Sequence, residues 1–187
     1  MSWRCYTSSM VNPSSAVRPS LVVITGAPGS GKTAVVPVLA RLLVGAVILD
    51  IDWLLDPLSR LAGVDLAVHE PSWPAYRDAW LALAACLGGT GVPVILCGPL
   101  LPAELAPLPS RALVDQIHWI VLDCSDDVRR QRLVTRGWDG ALIAEAQHDA
   151  AVLRRLDAEI VSSDSLSLEE MARVVTGVVR RLLTRSG

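Results

Sequence analysis

Apolar positions along the chain fall into short β-branched runs separated by longer stretches of helical character. Residues 21–25, Leu-Val-Val-Ile-Thr, form the first run, which stops at a glycine. A helix-length apolar segment over 33–44 follows, then a second run over 46–49 closed by Asp50. Residues 73–87 read as a helix, with Pro74 in the first turn, where its missing N–H has no intrahelical partner to lose. Residues 92–97 form a third strand ending at Gly98-Pro99, residues 118–123 a fourth and 159–162 a short fifth. Residues 126–136 carry an arginine-rich helical pattern, and 167–183 read as a last helix whose Ser167 and Glu170 have capping-box spacing. Buried strands alternating with helices predict an α/β fold, a five-stranded parallel sheet covered by helices on both faces. Such sheets bind ligands beyond the carboxyl ends of their strands.

Length and composition narrow the picture. A chain of 187 residues suits one domain, here 20–187, preceded by a Ser- and Pro-containing tail over 1–19 that is expected to be disordered. That tail lacks the apolar core of an export signal. Residues 79–103 carry no charge and exceed the ~18 residues that raise the question of a membrane span. Gly88-Gly89, Gly91, Pro93 and Gly98-Pro99 break the run into a helix, a turn and a buried strand, so no membrane contact is expected. A net charge of −2 gives no basic footprint, which argues against nucleic acid as a partner. Four scattered cysteines, without paired spacing, read as free thiols in a reducing, cytoplasmic compartment. Nothing in the pattern indicates an oligomeric state. Lys32 is the only lysine among 17 basic residues, so one site alone uses a compact ammonium where arginine serves elsewhere.

That lysine sits in Gly26-Ala27-Pro28-Gly29-Ser30-Gly31-Lys32-Thr33, a full match to the phosphate loop G-x-x-x-x-G-K-[ST]. The glycines let successive N–H groups point at phosphate oxygens, and the following helix adds its N-terminal partial charge. The motif has the required context, a buried strand before it and a helix after it. It predicts ATP bound with Mg²⁺, Lys32 bridging the β- and γ-phosphates and Thr33 ligating the metal.

Asp50 and Asp52 flank Ile51 at the end of the second strand. In an extended segment residues i and i+2 point the same way, so both carboxylates are expected to face the nucleotide from one side. One carboxylate can support Mg²⁺ while the other accepts the proton of an attacking hydroxyl. Solvated aspartates at a strand end are the plainer alternative. The third strand ends in Cys97-Gly98-Pro99 without an acidic residue, so metal support must come from this pair.

Taken in order over residues 20–185, the phosphate loop, the D-x-D and the arginine segment after the fourth strand resemble the small-molecule kinases of the P-loop superfamily. Shikimate kinase, gluconate kinase and the chloramphenicol phosphotransferase branch belong to that group. The resemblance implies a three-layer P-loop NTPase fold with a short lid over about residues 126–150. It also implies transfer of the γ-phosphoryl group of ATP to a hydroxyl of a small molecule. Asp52 takes the role of base and Asp50 that of metal support, with the exchange of the two left open. Arg132-Leu133-Val134-Thr135-Arg136 is similar to the R-L-x-x-R stretch leading into the family's lid. By that likeness Arg132 packs on adenine and Arg136 reaches the transferring phosphate. Gly137 and Gly140 supply its flexibility, and residues 162–165 border the adenine. Arg129, Arg132 and Arg136 share one helical face by spacing, and a solvated arginine stripe is the plainer alternative. Arg154 and Arg155 read as surface charges.

Trp53, Trp73, Tyr76 and Trp80 gather, with Arg60, His69, Glu70 and Arg77, where this group places its acceptor-binding helices. Ordinary core packing explains Trp73 and Trp80 equally well. Two arginines are few for an acidic acceptor, so a neutral one is expected: a nucleoside, sugar or natural product. The competing function is a nucleotide-dependent ATPase or switch with no small acceptor.

Overall fold

The computed structural model describes residues 18–184. Five strands form one all-parallel sheet in the order β2-β3-β1-β4-β5: β1 Leu21–Thr25, β2 Val47–Asp50, β3 Val94–Cys97, β4 Ile117–Asp123 and β5 Glu159–Ser162. The helices are α1 Lys32–Leu42, α2 Leu55–Ala62, α3 Trp73–Gly88, α4 Pro102–Leu105, α5 Asp126–Thr135, α6 Gly140–Leu153 and α7 Leu168–Thr184. This is the predicted three-layer α/β architecture. The uncharged stretch that raised the membrane question is the end of α3, a turn and β3, and no helix among the described residues is long and apolar enough to cross a membrane. The expected tail falls outside the described residues except for Arg18 and Pro19. Pro19 belongs to the domain, since its carbonyl accepts from Asp115 N at 3.0 Å.

The alternation of side chains along a strand decides which layer each residue supports. Val22 and Ile24 of β1, with Ile95 and Cys97 of β3, face α1 and α7. Leu21, Val23, Val94 and Leu96 face α3 on the opposite side. Because β1 is central and covered on both faces, all five of its residues are buried, which is why it reads as an unbroken apolar run. In α7 the buried positions Met171, Ala172, Val175, Val178, Val179 and Leu182 recur at helical spacing and close on α1. Each large side chain buried there contributes about 1.5–3 kcal/mol. Ser167 and Glu170 cap α7 reciprocally, Ser167 N donating to Glu170 Oε2 at 2.8 Å and Glu170 N to Ser167 Oγ at 3.3 Å.

Two boundaries differ from the sequence pattern in ways that matter. The first helix stops at Leu42 rather than 44, because Gly45 turns the chain in the left-handed region at φ 87°. The stretch after β2 is not extended: Ile51–Leu54 form a 3-10 turn capped by Asp50, whose Oδ1 accepts from Asp52 N at 3.0 Å.

Chain direction sets where a ligand can go. From β1 the chain crosses through α1 to β2 on one face, and from β3 it crosses through α4 to β4 on the other. The carboxyl ends of the neighbouring strands β1 and β3 therefore flank a topological switch point. Gly98, just past β3, makes this junction tight: a Cβ there would lie 2.5 Å from Ile51 Cγ1 and 2.6 Å from its Cδ1. Ile51 is fully buried and cannot give way. Gly98→Ala is thus expected to cost about 1–3 kcal/mol in urea unfolding. Ile51→Ala removes both clashing atoms, so the double variant should lose less stability than the two single losses added together.

Candidate active site

The phosphate loop leaves β1 at Thr25 and re-enters regular structure at Lys32, with Gly29 at φ 83° and Gly31 at φ 100°. These left-handed conformations are open to glycine and strained for other residues, and they wrap the loop around the start of α1. The first N–H groups of α1 have no intrahelical acceptor, so they face the space the loop encloses.

Two arginines from α5 hold the loop from behind. Arg129 Nη1 donates to Pro28 O at 2.6 Å, and Arg132 Nη1 donates to Gly29 O at 3.0 Å. Because a peptide unit is planar, fixing the Pro28 carbonyl towards Arg129 turns the Gly29 N–H to the other side, towards the cavity. Arg129 is fully buried and reaches Asp123 Oδ1 at 2.6 Å. Arg154, just past the end of α6, takes the other oxygen of Asp123 at 2.6 Å and adds Asp126 at 3.0 Å. α5 and the end of α6 are thereby tied to the end of β4 and, through Arg129, to the loop. Arg132 also bonds Ser163 Oγ and Ser163 O, each at 2.9 Å, in the segment after β5.

A cavity of about 220 Å³ opens over the loop. Lys32, Thr33, Asp52, Arg136 and Trp138 line it, together with loop residues Pro28 to Gly31 and with Pro99. Lys32 Nζ donates to the carbonyls of Gly26 and Ala27. Burial, only partly offset by Asp52 and Asp50 and reinforced by Arg129, lowers its pKa to about 8. Asp52 is shifted the opposite way. Burial of its carboxyl and the neighbouring Asp50 raise its pKa above the ordinary carboxylate value, and Lys32 pulls it back. Asp50 is buried beneath, holding the turn rather than lining the cavity. Tyr76 Oη donates to Ile51 O, fastening the same turn to α3.

The site thus brings together Lys32, Thr33, Asp52 and Arg136, with Asp50 close enough to act on Lys32 and Asp52 electrostatically. Contrary to the expectation from their spacing, Asp50 and Asp52 do not follow one another along an extended strand, because the 3-10 turn intervenes; their nearness comes from the cap instead. The aromatic acceptor wall does not form. Trp80 and Tyr76 are buried in the core, ring-edge to ring-face at 6.3 Å and 80°, Trp73 meets Tyr76 at 5.6 Å, and Trp53 is exposed. None of the four lines the cavity. Arg77 is held over the Trp73 ring and paired with Glu104 at 2.6 Å.

Arg129 does not belong to a solvated stripe with Arg132 and Arg136. It shares its face of α5 with the buried Leu133, four residues on. That spacing was the signal available for it, an arginine in register with an apolar position. Arg154 is likewise an ion-pair partner rather than a free surface charge. Tyr76 had no sequence signal as a brace for the D-x-D turn.

The donor set fits a triphosphate with a hard divalent cation. The loop offers N–H groups and an ammonium, while Thr33 and Asp52 offer oxygen; no Cys or His lines the cavity. Among the described residues no group of three or more His, Cys, Asp or Glu could hold a metal alone, so a cation here would depend on phosphate oxygens.

Residues 22–161 match a family model described as an AAA domain. None of the curated proteins matches the sequence. Solved structures do. A gluconokinase from Sinorhizobium meliloti 1021 is 21% identical at a TM-score of 0.60, over 89% of this chain and 95% of that one. The tunicamycin resistance protein of Deinococcus radiodurans is 20% identical at 0.65, over 87% and 96%. Shikimate kinase from Acinetobacter baumannii is 14% identical at 0.60, over 91% and 97%. The fold is the one these proteins share.

Two measurements check the electrostatics. Arg129→Ala leaves Asp123 and the Pro28 carbonyl short of a buried partner and should cost about 3–5 kcal/mol in urea unfolding. Arg136→Ala, on an exposed side chain, should stay within about 0.5 kcal/mol. The lowered pKa of Lys32 means that the unfolded chain binds this proton more tightly than the folded one. From about pH 8 to about 10.5 the unfolded state therefore holds more protons, and stability rises with pH. Over that window the wild type should gain stability relative to Lys32→Met; parallel profiles would show that the ammonium is not desolvated.

Proposed function

Because the chain belongs to the AAA domain family, we propose that it binds ATP with Mg²⁺ and transfers the γ-phosphoryl group to a hydroxyl of a small molecule. The observation that carries this reading is the cavity over the phosphate loop at the β1/β3 switch point, where Lys32, Thr33, Asp52 and Arg136 meet. Bound ATP·Mg²⁺ would supply the phosphoryl group and the cation that neutralises it. Lys32 exchanges the Gly26 and Ala27 carbonyls for phosphate oxygens, whose negative charge stabilises the ammonium that burial disfavours. Thr33 supplies a hydroxyl and Asp50 a carboxylate for metal support. Asp52 accepts the proton of the attacking hydroxyl, and its raised pKa makes it the more basic for that task. Arg136, on an exposed helix end, is free to close on charge developing in the transition state. Arg132 borders the adenine side through its contacts with Ser163.

The likeness to a gluconokinase and a shikimate kinase supports small-molecule phosphotransfer. A second reading, ATP hydrolysis without an acceptor, rests on the AAA domain match itself, since a phosphate loop serves either. Turnover that requires a hydroxylated acceptor separates the two, and acceptor-independent ADP release would favour the second.

The decisive variants are at Asp52 and Asp50. Asp52→Asn should keep ATP binding and lower kcat by about 10²–10⁴-fold, towards the low end because the transition state is loose. Asp50→Asn should raise the Mg²⁺ requirement, with partial rescue by excess metal. Initial rates at saturating ATP and varied Mg²⁺ read both. Wild-type turnover in both variants would reduce the pair to a structural cap.

A further inference from the structure

A second cavity, of about 260 Å³, adjoins the first. The segments after β1 and β3, Thr25 to Pro28 and Pro99 to Leu101, form one side of it, and Glu104 of α4 with His148, Asp149, Val152 and Leu153 of α6 form the other. Pro28 and Pro99 line both cavities, so the two cavities meet at those residues. The volume of the second lies just below the ~300–1,000 Å³ usual for ligand pockets, which suits a molecule of about one ring.

The walls are apolar at Ala27, Leu100, Leu101, Val152 and Leu153, and the polar groups are strongly biased in sign. No lysine or arginine lines the cavity. Glu104 is already spent: its Oε1 meets Arg77 at 2.6 Å and its Oε2 accepts from Leu101 N at 2.9 Å. Arg154, just past the end of α6, is committed to Asp123 and Asp126. Asp149 is exposed at the rim, and among the described residues its carboxylate has neither a hydrogen bond nor an ion pair. The cavity therefore presents one uncompensated carboxylate over an apolar floor.

We propose that this cavity is the acceptor site and that its acceptor is a hydroxylated amine of about single-ring size, an amino sugar or amino alcohol, held through its ammonium by Asp149. The proposal rests on the phosphotransferase reading above and adds the substrate class. An acceptor carboxylate or phosphate would sit beside Asp149 with no lysine or arginine in the lining, and only the His148 imidazole, to offset the repulsion, so acidic acceptors are disfavoured by charge. The ammonium of the correct acceptor is anchored at the α6 rim, and the apolar floor takes the ring's carbon face. The hydroxyl is thereby aimed past Pro28 and Pro99 at the cavity that Asp52 lines. In the reaction the hydroxyl oxygen forms the new bond to phosphorus as the bond from phosphorus to the β,γ-bridging oxygen breaks. The hydroxyl proton passes to Asp52, and ADP leaves with that bridging oxygen.

The test is acceptor-dependent ADP formation by the full chain with ATP·Mg²⁺, across hydroxylated amines, neutral polyols and hydroxy acids. Glucosamine, glucose and gluconate serve as probes of matched skeleton and different charge. Amines should give the fastest turnover. For the best amine, Asp149→Asn should raise KM by roughly three- to tenfold with kcat and the Kd for ATP unchanged, the range of a partly exposed ion pair. Val152→Trp, which fills the cavity from a half-buried position, should lower kcat/KM for that amine at least tenfold, again with ATP affinity unchanged. Fastest turnover with hydroxy acids or polyols would overturn the substrate class and leave the phosphotransferase standing. A KM indifferent to Asp149→Asn, or a rate indifferent to Val152→Trp, would do the same for the site. ATP binding without acceptor-dependent turnover in any class would overturn both readings together.

Discussion

The site depends on a buried guanidinium. Arg129 stands between Asp123 at the end of β4 and the carbonyl of Pro28 in the phosphate loop, with no solvent to share its charge. Taking such a group out of water is costly, and its position is defensible only because a carboxylate and two carbonyls meet it there. That cost has a structural return. A loop rich in glycine has little intrinsic preference for one set of peptide orientations, and a charged donor behind it selects one. Arg154 shares Asp123, so α5, the end of α6, the strand end and the loop form one connected network rather than independent parts.

The front of the loop is governed by a second balance, between Lys32 and two aspartates. Burial works against all the charges there, lowering the proton affinity of the ammonium and raising that of the Asp52 carboxyl. Each relieves the other in part. A triphosphate entering this space would supply negative charge to the lysine and compete with Asp52 for it. Asp50 takes part from below, where its carboxylate is held as the cap of a 3-10 turn. Tyr76 fastens that turn from α3, so a residue in the aromatic core positions the proposed base without approaching it.

Much of this was legible in the residues themselves. The unbroken apolar run of β1 announced a strand covered on both faces, and the loop motif between that strand and a helix located the phosphate site. The capping spacing of Ser167 and Glu170 appears in the structure as reciprocal hydrogen bonds. These features are local, carried by a few consecutive residues whose backbone preferences or periodicity allow little else. The aromatic segment over 53–80 was less decisive, because tryptophan and tyrosine at helical spacing suit a core and a pocket equally. Trp80 and Tyr76 went to the core and Trp53 to the surface.

By itself, the sequence determined the order of strands and helices, the parallel sheet, the phosphate loop with its one lysine, and the presence of carboxylates beyond β2. Hydrophobic periodicity and glycine conformations act over short stretches, and the chain carries them wherever it folds. The tertiary structure alone decided which arginine is buried, which aspartate lines the cavity and which caps the turn beneath it. It alone placed α4 and α6 around a second cavity edged by Asp149. Those outcomes depend on distances between residues far apart in sequence, Arg129 to Pro28 or Pro99 to Val152. In a charged side chain the same covalent group can be solvated or buried at little local difference. Only the packing of the layers, through the partners and the water it leaves, settles which.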